Sequence, residues 1–371
     1  MSKITFKTDI LHNFEKAIEK EYLITNGIGG YSSSTIIGCN TRKYHGLLIE
    51  SNPLTLERRV TLSLLNEVLI LEENGKEVSY NLSTIQYLNK TTPQGYKYLE
   101  EFSYEYFPTF IYRIKNVKIE KEIFMVHGEN TVYINYKITS PGPVKFKIYP
   151  ILTYRLFHEI KSKKKLLNNS LNSKDSFITL KDSSKKLLFN VYGKNLTFAK
   201  DKNWYKKIYY KNEHLRGYDC LEDLICQGYY QISGKGNLDF FIAASDKRKT
   251  FPSALQEKKK QLSRIEKVIK LSKPKDQFEK TLAYIADSFL IEKKEKSKLT
   301  HSIIAGYPWF GDWGRDTMIS LPGLTLATGR KDIAKSILAG FSNKISKGLL
   351  PNTYTEKVNK PQYNTVDASL W

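Results

Sequence analysis

Over residues 1–250, apolar and polar positions alternate in short runs instead of recurring every three or four residues. Residues 131–138 (TVYINYKI), 144–149 (VKFKIY), 186–192 (KLLFNVY) and 238–243 (LDFFIA) are β-branched and aromatic, punctuated by Gly, Asn, Pro and Ser. Successive side chains of a strand point to opposite faces, so this alternation predicts half-buried strands. The 25 Tyr and 18 Phe fit, because aromatics suit a pleated surface. Many short strands with no long amphipathic helices between them predict a large sandwich of antiparallel sheets.

The period then changes. Leu255, Leu262, Ile265 and Ile269 share one helical face, opposite a charged one. Pro274 can open a second helix, in which Phe278, Leu282, Ile285 and Phe289 recur at helical spacing and predict a buried stripe. A loop rich in Gly, Pro and Trp covers 301–314. Residues 315–328 are helix-like, broken or bent at Pro322 and Gly323. Residues 331–345 place Ile333, Ile337, Leu338 and Phe341 on one side of another helix. The predicted organisation is a β-sandwich over 1–250, a helical linker over 251–274 and an all-α part over 275–371, without an internal repeat.

Composition narrows the function classes. A chain of 371 residues suits two domains, and 40% apolar with 26% charged residues is ordinary for a globular protein. No apolar run approaches the ~20 residues a membrane span needs. The N-terminus, MSKITFKTDILHNFEK, lacks the apolar segment of a signal peptide. Cys39, Cys220 and Cys226 have no CxxC spacing, which argues against a disulfide framework or a zinc site and for thiols in a reducing cytoplasm. The net charge of +21 could mark a nucleic-acid binder. However, the lysines are spread along the chain; the densest runs, 161–165 and 258–260, read as a loop and a solvated helix face. No helix-turn-helix, RNP-like or zinc-finger pattern accompanies them, so no nucleic-acid partner is expected.

Three segments carry candidate chemistry. The first is GYPWFGDWGRD over 306–316, with Tyr307, Trp309 and Trp313 beside Arg315 and Asp316. Sugars offer C–H faces to aromatic rings and hydroxyl rims to forked charged partners. The same residues would also suit a tight loop whose Asp316 complements the dipole of the following helix. The second is YNTVDASLW over 363–371, where Asp367 stands with Asn364 and Trp371. A carboxyl in apolar surroundings favours its acid form and suits a general acid; an Asp before a helical run also reads as an N-cap. The third is TNGIGGY over 25–31, followed by TRKYHGLL over 41–48. It matches neither dinucleotide nor P-loop spacing, so its glycines read as a turn between strands. His45 lacks a metal-ligand partner set and reads as a buried, hydrogen-bonded histidine.

In this order the segments resemble the archaeal and bacterial glycogen debranching enzyme family. EYLITNGIGGYSSSTIIGCNTRKYHGLLI (21–49) is similar to the start of its N-terminal domain, and ERRV (57–60) and LRGYDCLEDLICQG (215–228) to later landmarks. AGYPWFGDWGRDTMISLPGLTLATGR (305–330) resembles the opening of its catalytic domain, and YNTVDASLW its acid-bearing motif. The resemblance runs from about residue 15 to the last residue.

It implies a β-supersandwich followed by the first helices of a six-hairpin (α/α)6 barrel like that of glucoamylases. It also implies inverting hydrolysis of α-1,6-linked glucose at branch points of glycogen or a related glucan. Asp367 would be the general acid; Arg315 and Asp316 would hold the terminal glucose, with Tyr307, Trp309, Trp313, Asn364 and Trp371 lining the site. Inversion needs a second carboxylate about 6.5–9.5 Å away to activate water, and in the family that base is a Glu far downstream. Fewer than a hundred residues follow Pro274, whereas twelve helices make the barrel. The implied chain is thus an incomplete enzyme, inactive alone unless a separate C-terminal half supplies the rest. No metal or organic cofactor is implied. A non-catalytic α-glucan-binding module and a glucoamylase-like exo-glucosidase stand as alternatives. No TIM-barrel pattern is present to carry glucanotransferase activity.

Overall fold

The structure is a computed structural model that describes residues 2–162, 170–174, 177–182, 185–247, 250–295, 298–354 and 361–371. The run Lys163–Lys165 therefore lies outside the described residues. The N-terminal part is mostly antiparallel sheet, organised by three long strands. Thr131–Leu156 pairs along its first half with Val117–Met125 and along its second with Arg58–Glu73, while Leu221–Ser245 follows it on the other side. Thr131–Leu156 and Leu221–Ser245 thereby belong to both sheet halves. Tyr22 of one half lies against Phe102 and Phe110 of the other, with centroids 6.2 and 6.0 Å apart, so the halves face each other. Leu65, Leu69, Phe146, Ile148, Tyr230 and Ile232 meet Phe102, Phe110, Ile119 and Ile134 in one apolar core between them.

The segments 131–138 and 144–149, which read as two strands, form one. The Pro141-Gly142-Pro143 signal between them is absorbed as a register shift between Thr139 and Pro143. The ladder passes over Ser140, Pro141 and Gly142 opposite Gly236, so the missing N–H of Pro141 costs no sheet hydrogen bond there. Between Glu21–Thr25 and Tyr31–Thr35 the glycine-rich segment is the expected turn, with Gly27 at φ +71° and Gly29 at φ +91°. His45 is buried; its Nδ1 accepts from Thr41 N–H at 3.1 Å and its Nε2 lies 3.4 Å from the Glu21 carboxylate. The three cysteines are unpaired thiols.

The linker helix Ala254–Leu271 starts with a Ser253–Gln256 capping box and buries Ile265 and Ile269, while Leu255 on the same predicted face is exposed. It meets the β part at His127, whose backbone N–H donates to Gln261 Oε1 at 3.2 Å. A Cβ on Gly27 would come within 2.0 Å of the His127 ring, so only glycine fits opposite it. Burial, with Arg264 nearby, lowers the His127 pKa from 6.5 to about 4, opposed by Asp287. Between pH 6.5 and about 4 the unfolded chain therefore binds the extra proton. The stabilising contribution is complete above pH 6.5 and lost as pH falls towards 4, an effect of about 2–3 kcal/mol. Unfolding in urea at pH 7 and pH 4.5 should show a stability loss in the wild type that His127→Gln reduces; equal slopes in both proteins would contradict this.

Beyond the linker come the helix Gln277–Phe289, the hairpin Leu290–Glu295/Lys298–Ile303, the helix Gly314–Leu321 continued by a wide turn Pro322–Leu326, the helix Lys331–Ser342 and the short helix Asp367–Leu370. The expected bend at Pro322 and Gly323 is this turn. Ile303, Met318, Leu321, Ile337 and Phe341 form a small second core. The stripe predicted to be buried in Gln277–Phe289 is largely open: Phe278 is 68% exposed, Leu282 48% and Ile285 46%, while Ala283 and Ala286 are buried. Ile319, Leu326, Leu338, Val366 and Leu370 are exposed as well. Helical periodicity marks which face is apolar; burial also needs an element to cover it. No helix among the described residues is long and apolar enough to cross a membrane.

Candidate active site

The loop 304–313 leaves the hairpin and delivers the helix Gly314–Leu321. Asp312 is fixed from behind, its Oδ2 accepting from Lys293 Nζ at 2.7 Å and Ser302 Oγ at 3.1 Å. Trp313 occupies the N-cap position with its ring 5.7 Å from that of Phe310. The first N–H groups of a helix have no partner within it. Here Asn352, itself buried, supplies two: Gly314 N–H donates to its backbone carbonyl at 2.7 Å and Arg315 N–H to its Oδ1 at 3.2 Å. Gly314 is needed for that fit, since a Cβ there would stand 2.2 Å from the Pro351 carbonyl oxygen.

This start aims Arg315 at the second motif. Its Nε lies 2.8 Å from Asp367 Oδ2, joining two segments that are far apart in sequence. Both side chains are partly exposed. Asp367 does not cap its helix. Val366 holds that position and Asp367 is the first helical residue, with Oδ1 buried and without a hydrogen bond. Ser369 Oγ accepts from Leu350 N–H at 2.9 Å, holding the short helix beside the segment that carries Asn352. Asp316, Asn364 and Trp371 are exposed.

The other two aromatic candidates lie elsewhere. Tyr307 packs edge-on against Tyr31 at 5.5 Å and Trp309 against Tyr44 at 6.5 Å, both in the β part. Arg42 and Arg216 stand 5.3 and 5.5 Å from the Trp309 ring. Burial pushes the Tyr307 hydroxyl up to about 12, with Arg58 opposing. The structure thus groups Arg315 with Asp367 and assigns Tyr307 and Trp309 to the contact between the β and helical parts. Asn352, Lys293 and Ser302, which build the site's backing, were absent from the sequence reading. Their roles are a helix-end hydrogen bond and a partly buried ion pair between the hairpin and the loop that follows it, which leave no local spacing signal.

The family pattern described as the N terminal of glycogen debranching enzyme matches residues 20–240, and that described as amylo-alpha-1,6-glucosidase matches 284–371. The chain belongs to the glycogen debranching enzyme family. As such it is a member of a glycoside hydrolase family. A glycogen debranching enzyme from Saccharomyces cerevisiae is 42% identical over 73 residues, which are 18% of this chain and 5% of the yeast protein. The chain thus spans a small fraction of that relative's length. Among solved structures, a bacterial glucoamylase complexed with acarbose gives a TM-score of 0.45 at 10% identity, over 94% of this chain and 51% of that one. A protein assigned as a kojibiose phosphorylase from human microbiome gives 0.35 at 9% identity, over 90% and 41%.

Proposed function

We propose that the chain carries part of an α-1,6-glucosidase site that removes single glucose residues from branch points of glycogen or a related α-glucan. The observation that carries this reading is the Arg315–Asp367 pair, which unites the two motifs of the amylo-α-1,6-glucosidase segment in one partly exposed place. Arg315 and Asp316 fork onto hydroxyls of the terminal glucose, with Trp313, Asn364 and Trp371 around it. Asp367 protonates the glycosidic oxygen. A carboxylate accepting a charge-assisted bond has no proton to give, so the incoming glucose must first draw Arg315 away and Asp367 must take a proton from solvent before the glycosidic bond is broken. A second carboxylate activates water for inversion, about 6.5–9.5 Å from the acid.

In the same reading, residues 1–250 form a supersandwich, 251–274 a linker and 275–371 the first helices of an (α/α)6 barrel. The open faces of Phe278, Leu282, Ile285 and Leu338 support this, because helices of a barrel need neighbours on those faces. We place the second carboxylate on the helical segment that covers them, on this or another chain.

The test is calorimetric titration of the purified chain with 6-O-α-glucosyl maltotriose. Arg315→Ala and Asp316→Ala should each weaken binding by about tenfold or more, the loss expected for a hydrogen bond to a charged group. Unchanged affinity in both would remove the assignment. Binding of glycogen that ignores both substitutions would instead favour a glucan-binding module in the β part.

A further inference from the structure

Three of the segments singled out in the sequence meet at one side chain to which the proposed chemistry gives no role. Arg58 begins the strand Arg58–Glu73 and is only 1% exposed. Its Nε donates to the Gly29 carbonyl at 2.8 Å, in the glycine turn, and its Nη1 donates to the Pro308 carbonyl at 3.0 Å, in the loop that leads to Trp313 and Arg315. The guanidinium carbon lies 5.8, 5.5 and 4.9 Å from the ring centroids of Tyr31, Phe157 and Tyr307. Among the described residues no carboxylate pairs with it, and Nη2 is buried without a hydrogen bond.

A buried guanidinium is costly unless carbonyls and ring faces receive its charge. Here the receivers divide between the β part (Gly29, Tyr31 and Phe157) and the loop of the helical part (Tyr307 and Pro308). The charge is satisfied only while those two parts stay in contact. A lysine could reach one carbonyl; the planar fork of arginine reaches both.

We infer that Arg58 is a positioning residue that fixes the loop 304–313 on the β part and thereby sets where Arg315 stands relative to Asp367. This rests on the proposed reading of the Arg315–Asp367 site, and it explains why the glycine turn, ERRV and GYPWF segments accompany that site. Arg58 touches neither candidate residue and acts through Pro308.

The test uses the full chain with Arg58→Met and Arg58→Lys. Methionine keeps a long apolar stem among the rings, and replacing a buried charge by an apolar group of similar size is often neutral for stability. Amide hydrogen exchange followed by mass spectrometry should therefore show about tenfold faster exchange over 304–313 in both variants, the change expected from losing a charge-assisted hydrogen bond. The strands Thr131–Leu156 and Leu221–Ser245 should keep wild-type protection. Affinity for 6-O-α-glucosyl maltotriose should fall about tenfold, because misplacing binding groups by an ångström has effects of that order or larger. Wild-type exchange in the loop, loosening spread equally through the strands, or a loosened loop with unchanged affinity would each overturn the assignment of Arg58. If the loop loosens as expected but the wild type itself binds no branched sugar, the proposed function fails, and Arg58 stands as the residue that fixes the loop without positioning a glucan site.

Discussion

On a branched limit dextrin, residues 1–371 purified without the helical segment proposed to carry the second carboxylate should release glucose about 10²–10⁴-fold more slowly than a glycosidase with both carboxylates, the factor general acid–base catalysis supplies. In the proposed reading Asp367 is the acid, and the other carboxylates of the GYPWFGDWGRD motif are committed. Asp312 is held by Lys293 and Ser302, and Asp316 is assigned to the sugar. Without a base, the attacking water keeps its proton in the transition state. The same open architecture predicts self-association, since Phe278, Leu282, Ile285, Leu338 and Leu370 on the helical part are all exposed. Glucose release measured by an oxidase-coupled assay, alongside light scattering, checks both expectations. Turnover at ordinary glycosidase rates by a monodisperse chain would contradict them.

Replacing Glu222 by alanine should cost about 3–5 kcal/mol of stability, the penalty for stranding a buried charge. Glu222 and Arg155 are both fully buried and form a forked pair, with Arg155 Nη2 2.9 Å from Glu222 Oε2. Tyr210 donates to the same Oε2 at 2.6 Å, and Arg155 Nη2 also donates to the Lys43 carbonyl at 2.6 Å. Because two strands, the connection at Tyr210 and the 41–48 segment meet there, removing the carboxylate leaves the guanidinium with carbonyls alone. Urea unfolding followed by circular dichroism reads the loss directly. Replacing both partners with apolar residues, Arg155→Met with Glu222→Leu, should recover much of it. A loss below about 1 kcal/mol in the single variant, the range of exposed pairs, would show that the pair is not the constraint the geometry indicates.

The β part was legible because alternation in runs such as 144–149 and 238–243 records a face that must be buried, whatever the partner strand. Where the long strands end was not legible. Pro141, Gly142 and Pro143 carry the same signal for a turn as for a bulge, and only the neighbouring strands decide between them. The hairpin Leu290–Glu295/Lys298–Ile303 escaped for another reason: its residues alternate weakly amid many lysines, and it is held in part by Lys293 meeting Asp312. At the site, Arg315 and Asp367 were visible as chemistry, yet their 2.8 Å contact depends on Asn352 orienting one helix and Ser369 anchoring the other. Tyr307 and Trp309 illustrate the converse. Aromatic residues beside a charged motif suit a sugar platform and a packed joint equally well, and the rings of Tyr31 and Tyr44 place these two in the joint.

The most direct test of the central claim is to titrate the wild-type chain in parallel with 6-O-α-glucosyl maltotriose and linear maltotetraose, which contain the same four glucose units. If the Arg315–Asp367 site is shaped for a branch-point glucose, the branched sugar should bind at least about tenfold more tightly, a difference of about 1.4 kcal/mol. Equal binding, or a preference for the linear chain, would contradict the account and point to a glucoamylase-like or purely glucan-binding surface.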